Sequence, residues 1–322
     1  MSSTALALIV VAALLHAGWN LWMKRSGTAG GFAFVWATNL VGALLFTPLA
    51  WLAGAFESGI GAAGEGIGAA PSAASGAPVA LSPTGVRFAD WPVSIWLAVL
   101  ASVLLHTAYF RVLQRGYGAG DLSIVYPVAR GTGPLLASIA AIVWLGEPAG
   151  LHSIAGLAFV VSGTFTIAGG FGTLRGGAST QTRRGLAWGL ATGVLIAAYT
   201  VNDGRAVSVL GAHPLAYYWW ICLLQAVVLA PWVMLTVPGW LQLLRASWRV
   251  VLAVGVLSPL SYLLALEAMR RAPVSVVAPA RELSMLVAAL AGSTLLREGQ
   301  LGRRLAGSAL IAGGVALLAS GA

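Results

Sequence analysis

Long apolar runs alternate with short polar interruptions along most of the chain, and each run is about long enough to cross a hydrocarbon core of about 30 Å at about 1.5 Å per residue. They predict ten membrane-spanning helices, at 4–23, 31–53, 92–113, 122–145, 151–172, 185–205, 214–237, 249–269, 274–296 and 302–320. One interruption is longer: residues 54–91 are rich in Gly, Ala, Ser and Pro and poor in large apolar side chains, which predicts a flexible loop without a core of its own. The opening run has no basic leader and no small-residue cleavage site, so it reads as a retained helix rather than a removed signal.

The pattern occurs twice. Aligning Pro127 with Pro279 sets Ser123 against Ser275 and Val125 against Val277. One deleted residue later, Arg130 meets Arg281, Glu147 meets Glu298, and Gly156 and Gly163 meet Gly307 and Gly314. Further back, Tyr109 falls opposite Tyr262, Trp19 opposite Tyr199 and Arg25 opposite Arg205. The chain reads as a duplicated unit of five spans, residues 1–173 and 174–322. An odd number of spans per unit inverts the second unit relative to the first. The predicted fold is therefore an all-α integral membrane protein, with two inverted five-helix repeats around a central cavity.

Composition agrees with a membrane protein: 59% of residues are hydrophobic, 8% are charged, and mean hydropathy is +0.88. The net charge of +9 would suggest nucleic acid in a soluble chain, but most of these cations flank helix ends. Loops after the odd-numbered spans hold Lys24, Arg25, Arg111, Arg115, Arg175, Arg183, Arg184, Arg245, Arg249, Arg297, Arg303 and Arg304, whereas the opposite side holds Arg87, Arg205, Arg270 and Arg271. The positive-inside rule puts the richer side in the cytoplasm and both termini outside. A lone Cys222 excludes a disulfide framework and a cysteine-based metal site.

Polar residues inside the spans are the candidates for function. Arg130 and Arg281 fall near mid-span, where leaving both uncompensated would cost roughly 5–7 kcal/mol even on mild insertion scales. Partners can come from within, with Asp203, Glu267 and Glu282 in other spans, or from an anionic substrate gripped by the guanidinium donors. Tyr126 lies one turn before Arg130. Tyr109 and Tyr262, matched across the duplication, are candidate cavity walls, as is Tyr199, which shares a face with Asn202 and Asp203. His16, Asn20 and Lys24 stack at steps of four with Trp19 beside them, a pattern that fits either an interhelical seam or a pore lining. His16, His106 and Glu282 are candidates to carry a coupling proton. The YYWW run at 217–220 reads as an interfacial aromatic anchor, and Glu147 as a water-accessible boundary residue.

The two five-span units, the Trp19-Asn20 pair followed by Lys24 and Arg25, and the PVAR and PAR motifs at Arg130 and Arg281, each followed by a helix ending in Glu, resemble the EamA family of the drug/metabolite transporter superfamily. The resemblance implies a basket of ten helices that exports or exchanges a small metabolite by alternating access. LLHAGWN at 14–20 with YPVARG at 126–131 looks like a subgroup often found beside phosphonate-use genes, and other relatives move amino acids. The expected substrate then carries a carboxylate or phosphonate. Arg130, Arg281, Tyr126, Tyr109, Tyr262, Trp19, Asn20 and Tyr199 are expected to bind it, without a cofactor or metal. The expected setting is a bacterial-type inner membrane, with the protein a monomer or weak homodimer.

A channel or a non-transporting scaffold is the alternative. An intramembrane aspartyl protease would suit the Gly-x-Gly-Asp sequence at 118–121, but none of Asp90, Asp121 and Asp203 follows a Tyr as that chemistry requires. No HExxH, GxSxG or Walker A sequence is present. The charge asymmetry makes one prediction testable without a substrate. A single cysteine at position 180, in a protein lacking Cys222, should resist a membrane-impermeant thiol reagent in intact cells and react after permeabilisation; labelling in intact cells would reverse the orientation.

Overall fold

The computed structural model describes residues 1–26, 31–52, 90–119, 122–168, 180–287 and 301–320. The Gly- and Ala-rich stretch read as a loop lies almost wholly outside these, as do Asp121, the far part of the predicted ninth span and Glu298. The described residues form helices and turns, as lipid demands of a backbone that must satisfy its own hydrogen bonds.

The first five helices are α1 (Ser3–Ser26), α2 (Phe32–Leu52), α3 (Val93–Ala119), α4 (Leu122–Trp144) and α5 (Leu151–Ala168). After them come α6 (Thr180–Ser208), α7 (Pro214–Thr236), the short α8 (Trp240–Ala246), α9 (Trp248–Met269), α10 (Val274–Ala280) and α11 (Leu301–Ser320). Among the described residues, six helices are long and apolar enough to cross a membrane, namely α1, α2, α3, α6, α7 and α9, while α5 and α11 contain shorter apolar stretches. α8 falls where the sequence predicts only a loop; it buries none of its residues. The amino group of Met1 donates to the Ala319 carbonyl at 3.0 Å, so α1 begins beside the end of α11.

The predicted ninth span is not one continuous helix. α10 stops at Ala280, Arg281 and Glu282 form a turn, and a further helical turn covers residues 283–287. Pro279 lies in the last turn before the break, but Arg281 N still donates to Val277 O at 3.1 Å, so the helical pattern holds past the proline and changes at Glu282. Glu282 N donates to Pro279 O at 3.0 Å and Met285 N to Glu282 O at 2.8 Å, the tighter i to i−3 pattern of a 3₁₀ passage. α4, in contrast, runs unbroken through Arg130 and Pro134.

α5 lies along α11, α4 along α6, α1 along α9, α3 along α6, and α2 along α7. Small residues allow the closest of these approaches. A methyl group at Gly156 would lie 2.7 Å from the Gly314 carbonyl oxygen, and one at Gly163 would lie 2.6 Å from that of Gly307. Opposed backbones this close exclude any side chain at the crossing. A second tie joins the ends of α4 and α10: Glu147 accepts from Val274 N at 2.7 Å and Ser275 N at 2.8 Å, so it caps a neighbouring helix rather than merely facing water.

Both contacts can be tested through stability. Gly156→Leu must push α5 from α11 and should cost about 1–3 kcal/mol, seen as a lower melting temperature in detergent, while Gly18→Ala, with open space around it, should not lower it. Glu147→Ala should cost about 1–3 kcal/mol by stranding two backbone donors; an unchanged melting curve would show that water replaces the carboxylate without penalty.

Candidate functional site

A cavity of about 30 Å³ lies between α1, α4, α6, α9 and the α10 break, with a wall that includes Ala12, His16, Arg130, Tyr199, Ser261, Arg281, Glu282 and Ser284. That volume suits about one or two waters. The broken helix supplies Arg281, Glu282 and Ser284 from adjacent turns, so residues that a straight helix would splay reach one wall.

Arg130 Nη2 is 3.1 Å from Glu282 Oε2 and donates to Ser284 Oγ at 3.3 Å. Glu282 is 3% exposed, so its charge rests on this neighbour. The pairing is nevertheless loose: Glu282 Oε2 receives no well-directed hydrogen bond, and the buried Arg130 Nε has no acceptor. A guanidinium matched to a carboxylate normally forms a two-pronged, parallel contact. Arg281 is half-buried, stacks over the Tyr262 ring at 5.1 Å and has no carboxylate partner among the described residues. With neutral histidines, the cavity wall therefore carries two cations against one anion.

The other predicted residues take several positions. His16 lines the cavity with its ring 4.9 Å from Trp19, edge to face, and the Asn20 amide donates to the His16 carbonyl at 2.8 Å, within their own helix. Tyr109 and His106 stand behind Tyr199, with ring centroids 5.6 and 4.1 Å from it. Tyr262 backs Arg281, and Tyr126 is 38% exposed, outside the cavity wall. Glu267, considered as a partner for the buried arginines, pairs instead with Arg270 at 3.3 Å and with Arg271 at the end of α9.

Asp203 holds a larger place than the sequence pattern indicates. It is fully buried, with Oδ1 accepting from Tyr217 Oη at 2.8 Å and Asn202 Nδ2 at 3.1 Å, and Oδ2 accepting from Tyr262 Oη at 2.6 Å. Tyr217 is thus a core residue, 0% exposed, and not part of an interfacial anchor. Its position at the start of α7 conceals this, because its partner lies on α6 and no local spacing links them. Among the described residues, no group of three His, Cys, Asp or Glu side chains could hold a metal ion.

No curated protein matches the sequence significantly. A solved structure described as the crystal structure of a protein superposes with a TM-score of 0.72 at 17% identity, over 98% of this chain and 96% of that one. At that identity, the likeness concerns the fold. The model of the EamA-like transporter family matches residues 183–320, from α6 to the end of α11. The second part of the chain, residues 183–320, is thus similar to the EamA-like transporter family of the drug/metabolite transporter superfamily, and the apolar helices mark the chain as a membrane protein.

Proposed function

We propose that the protein is a secondary active transporter, exporting or exchanging a small metabolite with a carboxylate or phosphonate group across a bacterial-type inner membrane. The observation that carries this reading is the cavity wall with Arg130 and Arg281 against the single carboxylate of Glu282. An anion would meet Arg281, which lacks a carboxylate partner among the described residues, and would compete with Glu282 for an imperfectly matched Arg130. Tyr199 supplies a wall beside the two cations, and Tyr109 and Tyr262 stand behind that wall.

Ten spans arranged as inverted five-helix repeats belong to the same proposal. Gly156 meets Gly314 and Gly163 meets Gly307, the reciprocal pattern expected when matched residues face each other across a twofold axis. Pairing of α1 with α9 and of α6 with α3 is reciprocal in the same sense. These contacts support repeats at 1–173 and 174–322, related by an axis through the cavity region, where inverted-repeat carriers bind their cargo. A cavity of about 30 Å³ is far smaller than any such cargo. Loading therefore requires helices to part, as in alternating access.

The test is counterflow in proteoliposomes with a panel of amino acids, organic acids and phosphonates. A carrier gives saturable exchange, whereas a channel or scaffold does not. Arg130→Gln and Arg281→Gln should each reduce exchange of acidic substrates by about ten- to a hundredfold, the scale of one lost charged hydrogen bond. Normal transport by both folded variants would eliminate the anion site.

A further inference from the structure

We infer that Asp203 is a proton-binding site, built to be held either as a carboxylate or as a neutral acid. The key is a surplus of acceptors. The Tyr217 hydroxyl has one proton but two acceptors in reach, Asp203 Oδ1 at 2.8 Å and the Ala98 carbonyl at 3.2 Å. With Asp203 ionised, Tyr217 donates to it. With Asp203 protonated, its O–H donates to Tyr217 Oη, and the tyrosine proton turns to Ala98 O. The heavy atoms need not move. Asn202 Nδ2 has two protons and lies 2.9 Å from Ala98 O and 3.1 Å from Oδ1, so it serves both states.

A route to this carboxylate is present. His106 is half-buried; in the tautomer with its proton on Nδ1, that nitrogen donates to the Ser102 carbonyl 3.0 Å away and Nε2 is left to take another proton. The Ser102 hydroxyl is 3.1 Å from Nδ1 and is also a hydrogen-bonding neighbour of Tyr217. A proton arriving at Nε2 can displace one from Nδ1 to Ser102, one from Ser102 to Tyr217, and one from Tyr217 to Asp203. One proton enters, none leaves, and the charge at Asp203 goes from −1 to zero.

Asp203 is better suited to this than Glu282. Glu282 is already paired with Arg130, whereas Asp203 forms no ion pair among the described residues. The ionisable groups facing Asp203 are His106 from α3, Tyr199 from its own helix, Tyr217 and Tyr218 from α7, Tyr262 from α9, and Arg281 at the α10 break. Only Arg281 is a permanent cation, and the Tyr262 ring stands between them. In the wall and behind it, Arg130 and Arg281 balance Glu282 and Asp203. An incoming anion upsets that balance by one charge, and a proton on Asp203 restores it. This use of the proton rests on the transport reading; the proton site itself does not.

Infrared difference spectroscopy of the full chain in lipid, titrated with pH, tests the site without any substrate. A carboxylic-acid carbonyl band should grow as pH falls and shift when the aspartates are labelled with ¹³C at the side-chain carboxyl. It should be lost in Asp203→Asn and kept in Glu282→Gln. Tyr217→Phe removes a charge-assisted bond from the carboxylate form and a weaker neutral bond from the acid form, so the midpoint should rise by about one pH unit. Replacing Asp90 and Asp121 by Asn leaves Asp203 as the one labelled aspartate, so the band can be assigned even if Asp203→Asn fails to fold. A wild-type spectrum without a ¹³C-aspartate-sensitive band over the pH range where the protein stays folded overturns the inference, as does a band lost in Glu282→Gln instead. An absent band leaves the anion-transport reading standing, and a present band with no anion exchange does the reverse.

Discussion

A guanidinium in the middle of a membrane helix must find compensation, and much of the arrangement around the cavity follows from where Arg130 finds it. Breaking a buried ion pair by removing one partner typically costs about 3–5 kcal/mol, because the remaining charge is stranded. Glu282 can meet Arg130 because the chain leaves helical geometry after Ala280. Had the ninth span continued as a regular helix, Arg281 and Glu282 would point about 100° apart. The break thus places an arginine and a carboxylate on the same wall, and non-helical backbone at membrane depth is tolerated where it lines a cavity in this way.

Rigid crossings surround this irregular element. Between α5 and α11 the glycines permit backbone contact, so neither helix can slide without losing dense packing on both sides. Glu147 fixes the start of α10 by binding its first backbone donors, and Ser138 Oγ donates to the Ser275 carbonyl at 2.9 Å one step further on. The break at Arg281 is therefore approached from a well-anchored turn. Precision at a polar wall of this kind depends on such support from outside it.

Hydropathy locates the regular helices well because burial in lipid is the strongest demand on a spanning segment. The predicted 214–237 and 249–269 correspond to Pro214–Thr236 and Trp248–Met269 within one residue. The two arginines are legible for the same reason, since charge stands out against an apolar run, and both line the cavity. What hydropathy cannot register is a change of backbone within an apolar segment. Pro279 has a counterpart in Pro127, yet α4 stays helical there while α10 ends. Asp203 is equally hard to weigh from sequence, because its donors come from Tyr217 and Tyr262, which only the folded chain brings together. Tyr217 itself misleads through its place near a span end, where aromatic residues often meet the lipid headgroups.

Tyr262 links the two charged regions. Its ring offers a face to Arg281 at 5.1 Å, while its hydroxyl donates to Asp203 at 2.6 Å. A phenol that donates to a carboxylate gains electron density, which strengthens the hold of its face on a cation. Neutralising the carboxylate weakens that donation and, with it, the retention of Arg281 against the ring. The same event removes the negative charge nearest to Arg281 behind Tyr262. On the proposed anion-binding reading, both effects would free the guanidinium to engage an anion in the cavity, so that the protonation state of a carboxylate outside the wall would be felt by a cation within it through one shared side chain.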